Sequence, residues 1–444
     1  MPDHANSDSP AVQAQLDRLA ALSPGRDTLG LERITALCAR LGNPQDRLPP
    51  VFHVAGTNGK GSTCAFLRAS VEAAGLTAHV YTSPHLVRFN ERIRVAGKLI
   101  TDDALAALLA EVLNHAEGLG PSFFEVTTAA AFLAFSRAPA DACIIEVGLG
   151  GRLDATNIIA KPAVCGIASL GIDHEAFLLA PEAGIDPAMA PLDRIAFEKA
   201  GIAKAETPLV CQKYAPSMLQ QVAAQAMRAG AILIDRGADW DATVYDGRLH
   251  YRDAAGKISL PLPRMAGPHQ ADNAALAIAM LRHQSALDVS ESAMAAAMEW
   301  AKWPARLQRL GPGFLTAHLP PLAGIWLDGG HNMDAGLALE KHFHDVPDAS
   351  VHLVIGMLAN KDPAAIIAPI LPKLASIHAV PVRGHDHHSP DAFAAATGGL
   401  PVTAAIDAAA ALAAIVPKRS DSILITGSLY LAGEVLKLNG EEPT

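Results

Sequence analysis

The stretch Val51-Phe52-His53-Val54-Ala55-Gly56-Thr57-Asn58-Gly59-Lys60-Gly61-Ser62 joins a short apolar run to a turn that contains three glycines. The run is typical of a buried strand, and the residues after Ser62 follow a helical pattern. A strand, a Gly-rich turn and a lysine at a helix start form a nest of backbone N–H groups that binds phosphate. Gly61 separates Lys60 from Ser62, which departs from the usual loop spacing. A tight turn without a ligand is the alternative, but the flanking strand and helix favour phosphate binding.

Strands and helices alternate on both sides of this loop. Further apolar runs at 78–82, 142–147 and 163–167 predict strands, and helical patterns cover 11–45, 102–118, 124–137 and 271–283. Such alternation predicts a mostly parallel sheet covered by helices on both faces. The Asp246-Gly247 pair lies between alternating residues and predicts a small β-hairpin region.

The βα alternation begins afresh after Trp303. Strands are predicted near 324–328, 351–356, 377–382, 401–405 and 422–426, with helices between them. We therefore expect an α/β protein in which residues 1–298 form a P-loop-containing, ATP-binding domain. Residues 299–306 would form a hinge linker, and 307–444 a smaller Rossmann-like domain.

Composition narrows the class of protein. Half of the 444 residues are hydrophobic and 18% are charged, as in a well-buried globular enzyme. The net charge of −10 argues against a nucleic-acid coat, since phosphate backbones require clustered Lys and Arg. The sequence predicts neither a signal peptide nor a membrane-spanning helix, and five cysteines without CxxC spacing exclude a cysteine-based zinc site. We expect a cytoplasmic protein.

Three residues near strand ends are candidates for metal binding or catalysis. Glu146 ends a buried strand, where a carboxylate can hold Mg²⁺, although it could instead cap the next turn. His174 also follows a strand, and a lone histidine is more often structural than a ligand. Lys199, taken by itself, is an ordinary helical lysine.

Further candidates lie in the second half of the chain. Arg306, just past the hinge, could reach a terminal phosphate or could be a surface linker residue. Asp328 follows a strand of the second domain, at the edge where α/β proteins bind ligands. Three histidines lie close together in the run Arg383-Gly384-His385-Asp386-His387-His388. Such a run could bind a metal ion, but its composition favours a solvated loop.

Taken together, the motifs resemble the folylpolyglutamate synthase/dihydrofolate synthase family, a branch of the Mur-ligase-like ATP-dependent amide ligases. The most specific block is Glu146-Val147-Gly148-Leu149-Gly150-Gly151-Arg152-Leu153-Asp154-Ala155-Thr156-Asn157. The family loop also reads Gly-Lys-Gly-Ser/Thr, which accounts for Gly61. The other matches are Leu29-Gly30-Leu31-Glu32-Arg33, Thr82-Ser83-Pro84-His85-Leu86, Glu198-Lys199-Ala200-Gly201-Ile202, His269-Gln270-Ala271-Asp272-Asn273, Asp328-Gly329-Gly330-His331-Asn332 and Gly427-Ser428-Leu429-Tyr430.

The resemblance implies roles for individual residues. It implies ATP binding by Gly56, Thr57, Asn58, Gly59, Lys60, Gly61, Ser62, Asn273, Arg306 and Asp328, with Asn273 on the adenine and Arg306 on the γ-phosphate. It implies two Mg²⁺ sites held by Ser62, Ser83, Glu146, His174 and Lys199, with Lys199 carbamylated. Lys60, Lys199, His174 and Arg306 would be the catalytic residues. Phe124, Asp154 and Arg152 would contact the pterin part of the substrate. His331 and Ser428 would lie near the incoming glutamate.

The implied reaction is ATP-dependent addition of L-glutamate to dihydropteroate and to reduced folates through an acyl phosphate. A monomer that binds neither nucleic acid nor membrane is the family expectation. Alternatives are folylpolyglutamate synthesis alone, a Mur-type peptidoglycan ligase, and an ATP-dependent conformational switch. Only about 55 residues precede the loop, which disfavours the additional UDP-binding domain of the Mur-type enzymes. One departure from the family is the long connection from Glu175 to Asp193, which leaves its role open.

Overall fold

The computed structural model describes residues 6–22, 29–317, 319 and 324–443. The chain divides into two compact units, one formed by Met1–Arg264 and Gln270–Lys302 and the other by Met265–His269 and Trp303–Thr444. The change of unit after Lys302 falls inside the predicted hinge. The predicted domain limits, and the hinge function of 299–306, stay predictions.

The first unit is built on a mostly parallel sheet. Its strands are β1 (Val51–Ala55), β2 (Ala78–Tyr81), β3 (Ile93–Val95), β4 (Lys98–Leu99), β5 (Ala142–Glu146), β6 (Val164–Ile167), β7 (Pro208–Cys211) and β8 (Ile232–Asp235). They lie in the order β4-β3-β2-β5-β1-β6-β7-β8, and antiparallel pairing is confined to β2-β3 and β3-β4 among the described residues. The central strands β1, β2, β5 and β6 are buried along their whole length, as expected of parallel strands covered on both faces.

Helices surround this sheet, and α3, α4, α5 and α9 lie close to their predicted positions. They are α1 (Pro10–Leu22), α2 (Glu32–Arg40), α3 (Lys60–Ala73), α4 (Asp102–His115), α5 (Phe123–Arg137), α6 (Glu175–Leu178), α7 (Pro191–Ala200), α8 (Pro216–Ala229), α9 (His269–Arg282) and α10 (Glu291–Trp300). The helical pattern predicted over 11–45 corresponds to two helices, α1, which ends at Leu22, and α2, which ends at Arg40, so its last residues are not α-helical. Part of it, 23–28, lies outside the described residues.

Local sequence fixes the start of α5. The Ser122 hydroxyl accepts a hydrogen bond from the Glu125 backbone N–H at 3.2 Å, and the Glu125 carboxylate accepts from the Ser122 N–H at 2.6 Å. This reciprocal capping box satisfies two helix N–H groups that would otherwise lack partners. Helix α5 is thereby held at its first turn, one residue before the predicted start.

The predicted hairpin is confirmed. Strands β9 (Trp240–Tyr245), β10 (Arg248–Asp253) and β11 (Gly256–Pro261) form an antiparallel sheet in the order β11-β10-β9. Asp246 and Gly247 form the turn between β9 and β10, and both have positive φ (49° and 67°), as a two-residue hairpin turn requires.

The second unit has its own sheet and core. Its strands are β12 (Gln308–Arg309), β13 (Gly324–Leu327), β14 (Val351–Ile355), β15 (Leu374–Ala379), β16 (Val402–Ala404) and β17 (Ser422–Thr426), in the order β12-β13-β17-β14-β15-β16. Its helices are α11 (Met333–His342), α12 (Ala364–Ile370), α13 (Pro390–Ala394), α14 (Ala408–Ala414) and α15 (Leu429–Asn439). Apart from the antiparallel β12-β13 pair, the strands are parallel, which confirms a second, smaller α/β sheet.

The five cysteines all lie among the described residues, and each is buried and free of disulfides. Burial raises the pKa of every one of these thiols above its ordinary value. Searched over the described residues, the helices include none that is both long and apolar enough to cross a membrane.

The core of the first unit beside α4 and α5 provides a stability test. Phe132 of α5 is fully buried in the cluster that these helices form with α1. Replacing Phe132 by Ala should lower the free energy of unfolding by about 3–5 kcal/mol, since it removes buried apolar area and leaves a cavity. Urea unfolding measures this change. Met227→Ala, at a side chain that is 78% exposed, is the matched control and should change stability by no more than ~0.5 kcal/mol. Equal effects of the two substitutions would contradict the packing described.

Candidate active site

The Gly-rich loop connects the end of β1 to the start of α3, as predicted. Helix α3 begins at Lys60, so its first backbone N–H groups face the loop and can receive an anion. Gly59 has φ of 85°, and a Cβ there would lie 2.2 Å from Oδ1 of Asn273. A glycine is therefore required at this position, and the predicted adenine contact Asn273 lies directly beside the loop. Ser62, in the first turn of α3, is buried.

A second segment holds the loop from the side. The backbone N–H of Thr57 donates to the Ser169 carbonyl at 2.7 Å, and the Thr57 hydroxyl donates to the Gly171 carbonyl at 2.8 Å. The Gly171 N–H is also 3.0 Å from that hydroxyl oxygen. His174 follows three residues later, with φ of 54°, at the N-terminus of α6. The chain that carries the predicted metal ligand His174 is thus attached to the phosphate loop.

Lys60 and Lys199 meet at one carbonyl oxygen. The Lys60 ammonium donates to the carbonyls of Gly56 at 3.1 Å and Thr57 at 3.3 Å. Lys199 lies in α7, is only 4% exposed, and its Nζ donates to the same Gly56 carbonyl at 3.0 Å. Burial, and then the positive charge of Lys60, lower the pKa of Lys199 to about 7. A substantial fraction of Lys199 is therefore a neutral amine near neutral pH.

Two more predicted metal ligands are neighbours. Glu146 is the last residue of β5 and is buried, and its Oε2 accepts a hydrogen bond from the Ser83 backbone N–H at 3.1 Å. Ser83 follows β2, which pairs with β5. Over the described part of the chain, no group of three or more His, Cys, Asp or Glu side chains could hold a metal ion. The predicted metal ligands are not a group of this kind, because they include two serines and a lysine.

The predicted pterin residues lie around the loop that follows β5. Phe124 is partly exposed at the start of α5; its ring centroid is 5.9 Å from that of Tyr81, and it lies so close to Gly148 that a Cβ there would be 2.3 Å from the ring. Asp154 is buried, and its carboxylate accepts from the Leu149 N–H at 2.8 Å and from the Thr156 N–H at 3.0 Å. In this structure Asp154 shapes the loop.

A buried histidine extends this network to β1, and the sequence analysis did not identify it. His53 is fully buried, and its Nε2 lies 2.8 Å from the Thr156 hydroxyl, which donates to Asp154. Burial lowers the pKa of His53 to about 3, so the ring is neutral. Because the Thr156 hydroxyl donates its proton to Asp154, Nε2 is the donor in the tautomer that fits this contact. The strand leading to the phosphate loop is thereby hydrogen-bonded to the predicted substrate loop.

Arg152, predicted to contact substrate, lies in an ion-pair cluster. Its guanidinium donates to Glu198 at 2.9 Å and 3.1 Å, and it also pairs with Glu182. Glu198 belongs to the family motif that contains Lys199, but the resemblance implies no role for it. Its pairing could not have been predicted from spacing, because 46 residues separate it from Arg152.

The remaining predicted residues gather within the second unit, at the carboxyl ends of β13 and β17. Asp328 accepts from the Leu307 N–H at 2.8 Å and the Gly330 N–H at 2.7 Å. Arg306 Nη1 donates to the Ala305 carbonyl at 3.0 Å, and a Cβ on Gly329 would lie 2.9 Å from that nitrogen. His331 and Ser428 complete the group: His331 Nδ1 is 3.1 Å from the Gly329 carbonyl, and Ser428 caps α15.

Comparisons with known proteins find similar chains and similar folds. The Escherichia coli dihydrofolate synthase/folylpolyglutamate synthase is 36% identical over 416 residues, which cover 92% of this chain and 91% of that protein. The structure of E. coli FolC in complex with DHPP and ADP superposes with a TM-score of 0.84 at 34% identity, covering 97% of both chains. A bifunctional folylpolyglutamate synthase/dihydrofolate synthase with Mn, AMPPNP and L-glutamate bound gives 0.82 at 31% identity, covering 97% of this chain and 98% of that one. A scan against family models finds no match.

The phosphate loop on a parallel sheet, followed by the second α/β unit, defines an ATP-dependent ligase of the Mur ligase fold. Within that class, the chain belongs to the dihydrofolate synthase/folylpolyglutamate synthase family.

The lowered pKa of Lys199 predicts a pH dependence of stability. Between pH ~7 and the ordinary lysine value of 10.5, the unfolded chain binds a proton that folded Lys199 lacks. The stability contributed by this residue therefore rises with pH across that window, by at most ~1.4 kcal/mol per pH unit, and is lost as pH falls toward about 7. We expect the free energy of unfolding of the wild type, minus that of Lys199→Met, to increase over this range.

Urea unfolding in metal-free, CO₂-free buffer measures the difference. Lys213→Met, at an exposed lysine, controls for the loss of a positive charge. A wild-type-minus-Lys199→Met difference that does not vary with pH would contradict the burial of a neutral amine.

Proposed function

We propose that this ligase joins L-glutamate to dihydropteroate and to reduced folates through an acyl-phosphate intermediate. One observation carries the proposal: the phosphate loop, Lys199 and the Ser83–Glu146 pair converge at the carboxyl end of the first sheet. Such a place concentrates groups that bind and neutralise a triphosphate. The ADP, DHPP, AMPPNP and L-glutamate in the structures of relatives support ATP and these substrates for the present chain.

Magnesium is the expected cofactor, with ATP as co-substrate. Mn in a relative's structure supports a divalent metal, and the donor set here fits one, because the Glu146 carboxylate lies beside Ser83. We assign Ser62, Ser83, Glu146, His174 and Lys199 to two Mg²⁺ sites. Bound magnesium would neutralise the charge that develops on the transferring phosphoryl group.

Lys199 suits a metal site once it is carbamylated. An ammonium repels a cation, whereas a carbamate is an anion with two oxygen ligands. The pKa of about 7 provides the neutral amine that attacks CO₂, and the new N–C bond forms as the amine loses a proton. We therefore propose that Lys199 is carbamylated in the working enzyme.

The proposed reaction has two steps. The substrate carboxylate oxygen attacks the γ-phosphorus of ATP, the bond to the β-phosphate oxygen breaks, and an acyl phosphate and ADP result. The glutamate α-amine then attacks the acyl carbon, forming the amide and releasing phosphate and a proton. Lys60 and Arg306 would stabilise the transferred phosphoryl group, and Asn273 and Asp328 would hold the nucleotide.

The choice of substrates rests on two further groups of residues. Phe124 offers a partly exposed ring over the Gly148 backbone, suited to stacking on a flat pterin, with Asp154 and Arg152 on the same loop. His331 and Ser428 would contact the incoming glutamate. Because one pterin-binding surface can accept both dihydropteroate and tetrahydrofolate, we favour both synthase activities over folylpolyglutamate synthesis alone.

A parallel assay separates these functions from the alternatives. ATP-dependent incorporation of labelled glutamate is measured with dihydropteroate, tetrahydrofolate and a UDP-muropeptide. We expect incorporation with the first two and none with the third. Activity with tetrahydrofolate alone would indicate a folylpolyglutamate synthase, and a conformational switch would hydrolyse or bind ATP without incorporating glutamate. We expect the active species to be a cytoplasmic monomer that binds neither nucleic acid nor membrane.

Lys60→Ala tests the phosphate loop. Removal of a charged donor at the site of phosphoryl transfer should reduce ADP formation at least about 100-fold. Coupled detection of ADP measures the rate. Lys98→Ala, at an exposed lysine of β4, is the control and should turn over like the wild type. Wild-type turnover by Lys60→Ala would show that the phosphate loop has no role in the reaction.

Carbamylation of Lys199 is tested by trapping. Incubation with bicarbonate, alkylation of carbamates with triethyloxonium and peptide mass spectrometry should reveal a trapped CO₂ adduct on the peptide containing Lys199. The adduct should be absent from Lys199→Met and from wild type prepared without bicarbonate. An unmodified Lys199 in fully active enzyme would disprove the assignment.

A further inference from the structure

In the long connection between His174 and Lys199, Glu182 forms ion pairs with Arg152 and Arg194. After α6, residues of the segment 179–189, together with Pro191 and Arg194, line a solvent-open cavity of about 730 Å³. Most residues of 181–190 are exposed, so ion pairs contribute to fixing the position of this segment. Glu182 provides these contacts.

Glu182 joins two arginines from different elements. Its Oε2 accepts hydrogen bonds from Arg152, in the loop after β5, and from Arg194 of α7 at 3.0 Å. Both arginines also bind Glu198, which is 2.9 Å from Arg152 and 2.8 Å from Arg194. These four side chains form a closed ring of alternating charge, here termed the Glu182 quartet.

The quartet reaches three segments that carry predicted site residues. Arg194 Nε donates to the carbonyl of Leu178, the last residue of the short helix that begins after His174. The Arg152 backbone N–H donates to the Glu198 carbonyl at 2.8 Å, and Lys199 is the next residue. The quartet therefore connects the His174 helix, the loop after Glu146 and the Lys199 helix.

The charges of the quartet balance only when Glu182 is included. Glu198 and Arg194 have side chains that are 5% and 8% exposed, so water screens their charges weakly, whereas Glu182 is 38% exposed. The hydrogen bond from Arg152 is the main cause that lowers the pKa of the Glu182 carboxyl below its usual value. Removing the carboxylate would leave two guanidiniums with one carboxylate between them, that of Glu198, which is next to Lys199 of the predicted metal site.

We propose that Glu182 is a positioning residue for the ligase reaction, which holds His174 and Lys199 in the arrangement that binds the metal ions. The inference rests on the proposed function for the identity of those ions. Glu182 itself need not touch substrate or metal, since it acts through Arg152 and Arg194. Residues that orient metal ligands commonly change metal affinity by one to two orders of magnitude.

Glu182→Gln tests the proposal with little change of shape. We expect the Mg²⁺ concentration for half-maximal glutamate incorporation to rise about tenfold. The KM for glutamate should stay within about twofold, because the residues assigned to glutamate lie in the second unit and outside the quartet. Glu182→Asp, which keeps the charge on a shorter side chain, should recover part of the loss. Asp186→Asn, at an exposed carboxylate of the same segment, is the matched control and should behave as wild type.

A double-substitution cycle with Arg194→Gln separates positioning from general destabilisation. Since Glu182 acts through Arg194, the two effects on the metal requirement should fall short of additive. Urea unfolding of each variant shows whether the fold is intact. An unchanged metal requirement in a folded Glu182→Gln protein overturns the proposal, and so does an equal rise in the KM for glutamate.

A measurement that does not depend on turnover distinguishes a failure of the role of Glu182 from a failure of the proposed function. Amide hydrogen exchange in 148–152 and 191–200 should increase in Glu182→Gln and stay at the wild-type level in Asp186→Asn. If the wild type incorporates no glutamate, the proposed function fails, and exchange still reports on the quartet. If the wild type is active and neither exchange nor metal requirement changes in Glu182→Gln, only the role of Glu182 fails.

Discussion

The carbonyl oxygen of Gly56 is the point on which the first unit's site depends. It accepts hydrogen bonds from Lys60 and from Lys199, residues that are 4 and 143 positions away in the chain. Two lysines at one buried oxygen repel each other when both are charged, and burial adds to the cost of the second charge. The shared oxygen brings the two lysine side chains together, and burial with the charge of Lys60 then favours a neutral Lys199.

The order of strands explains why so many functional groups meet near that oxygen. Strands β2, β5, β1 and β6 are adjacent and parallel, so their carboxyl ends lie in a row. Ser83 follows β2, Glu146 ends β5, Gly56 follows β1 and Ser169 follows β6. Because β1 forms the centre of this row, its loop has neighbours on both sides. An enzyme that handles a triphosphate and a carboxylate together requires such a concentration of side chains at one sheet edge.

Local patterns predicted the parts of this arrangement that depend on nearby residues. The Gly-rich loop, the parallel strands and the Asp246–Gly247 hairpin each follow from short-range chemistry, and family motifs suggested the metal and substrate residues. Contacts between distant segments could not be predicted from the sequence. Thr57 and Gly171 are 114 positions apart, and His53 meets Thr156 across 103 positions, so no spacing connects them. Residues 175–193 were noticed for their length, but the pairing of Glu182 with Arg152 and Arg194 requires the fold.

The burial of every cysteine has a practical consequence for watching the enzyme at work. All five thiols are shielded by surrounding side chains, and their raised pKa values disfavour the reactive thiolate. Maleimide dyes would therefore modify the native protein slowly. A cysteine introduced at an exposed position, such as Met227 of α8 or Ile406 of the second unit, would be labelled in preference to the native ones. One dye on each unit would allow the distance between the two units to be followed during turnover without first removing the natural cysteines.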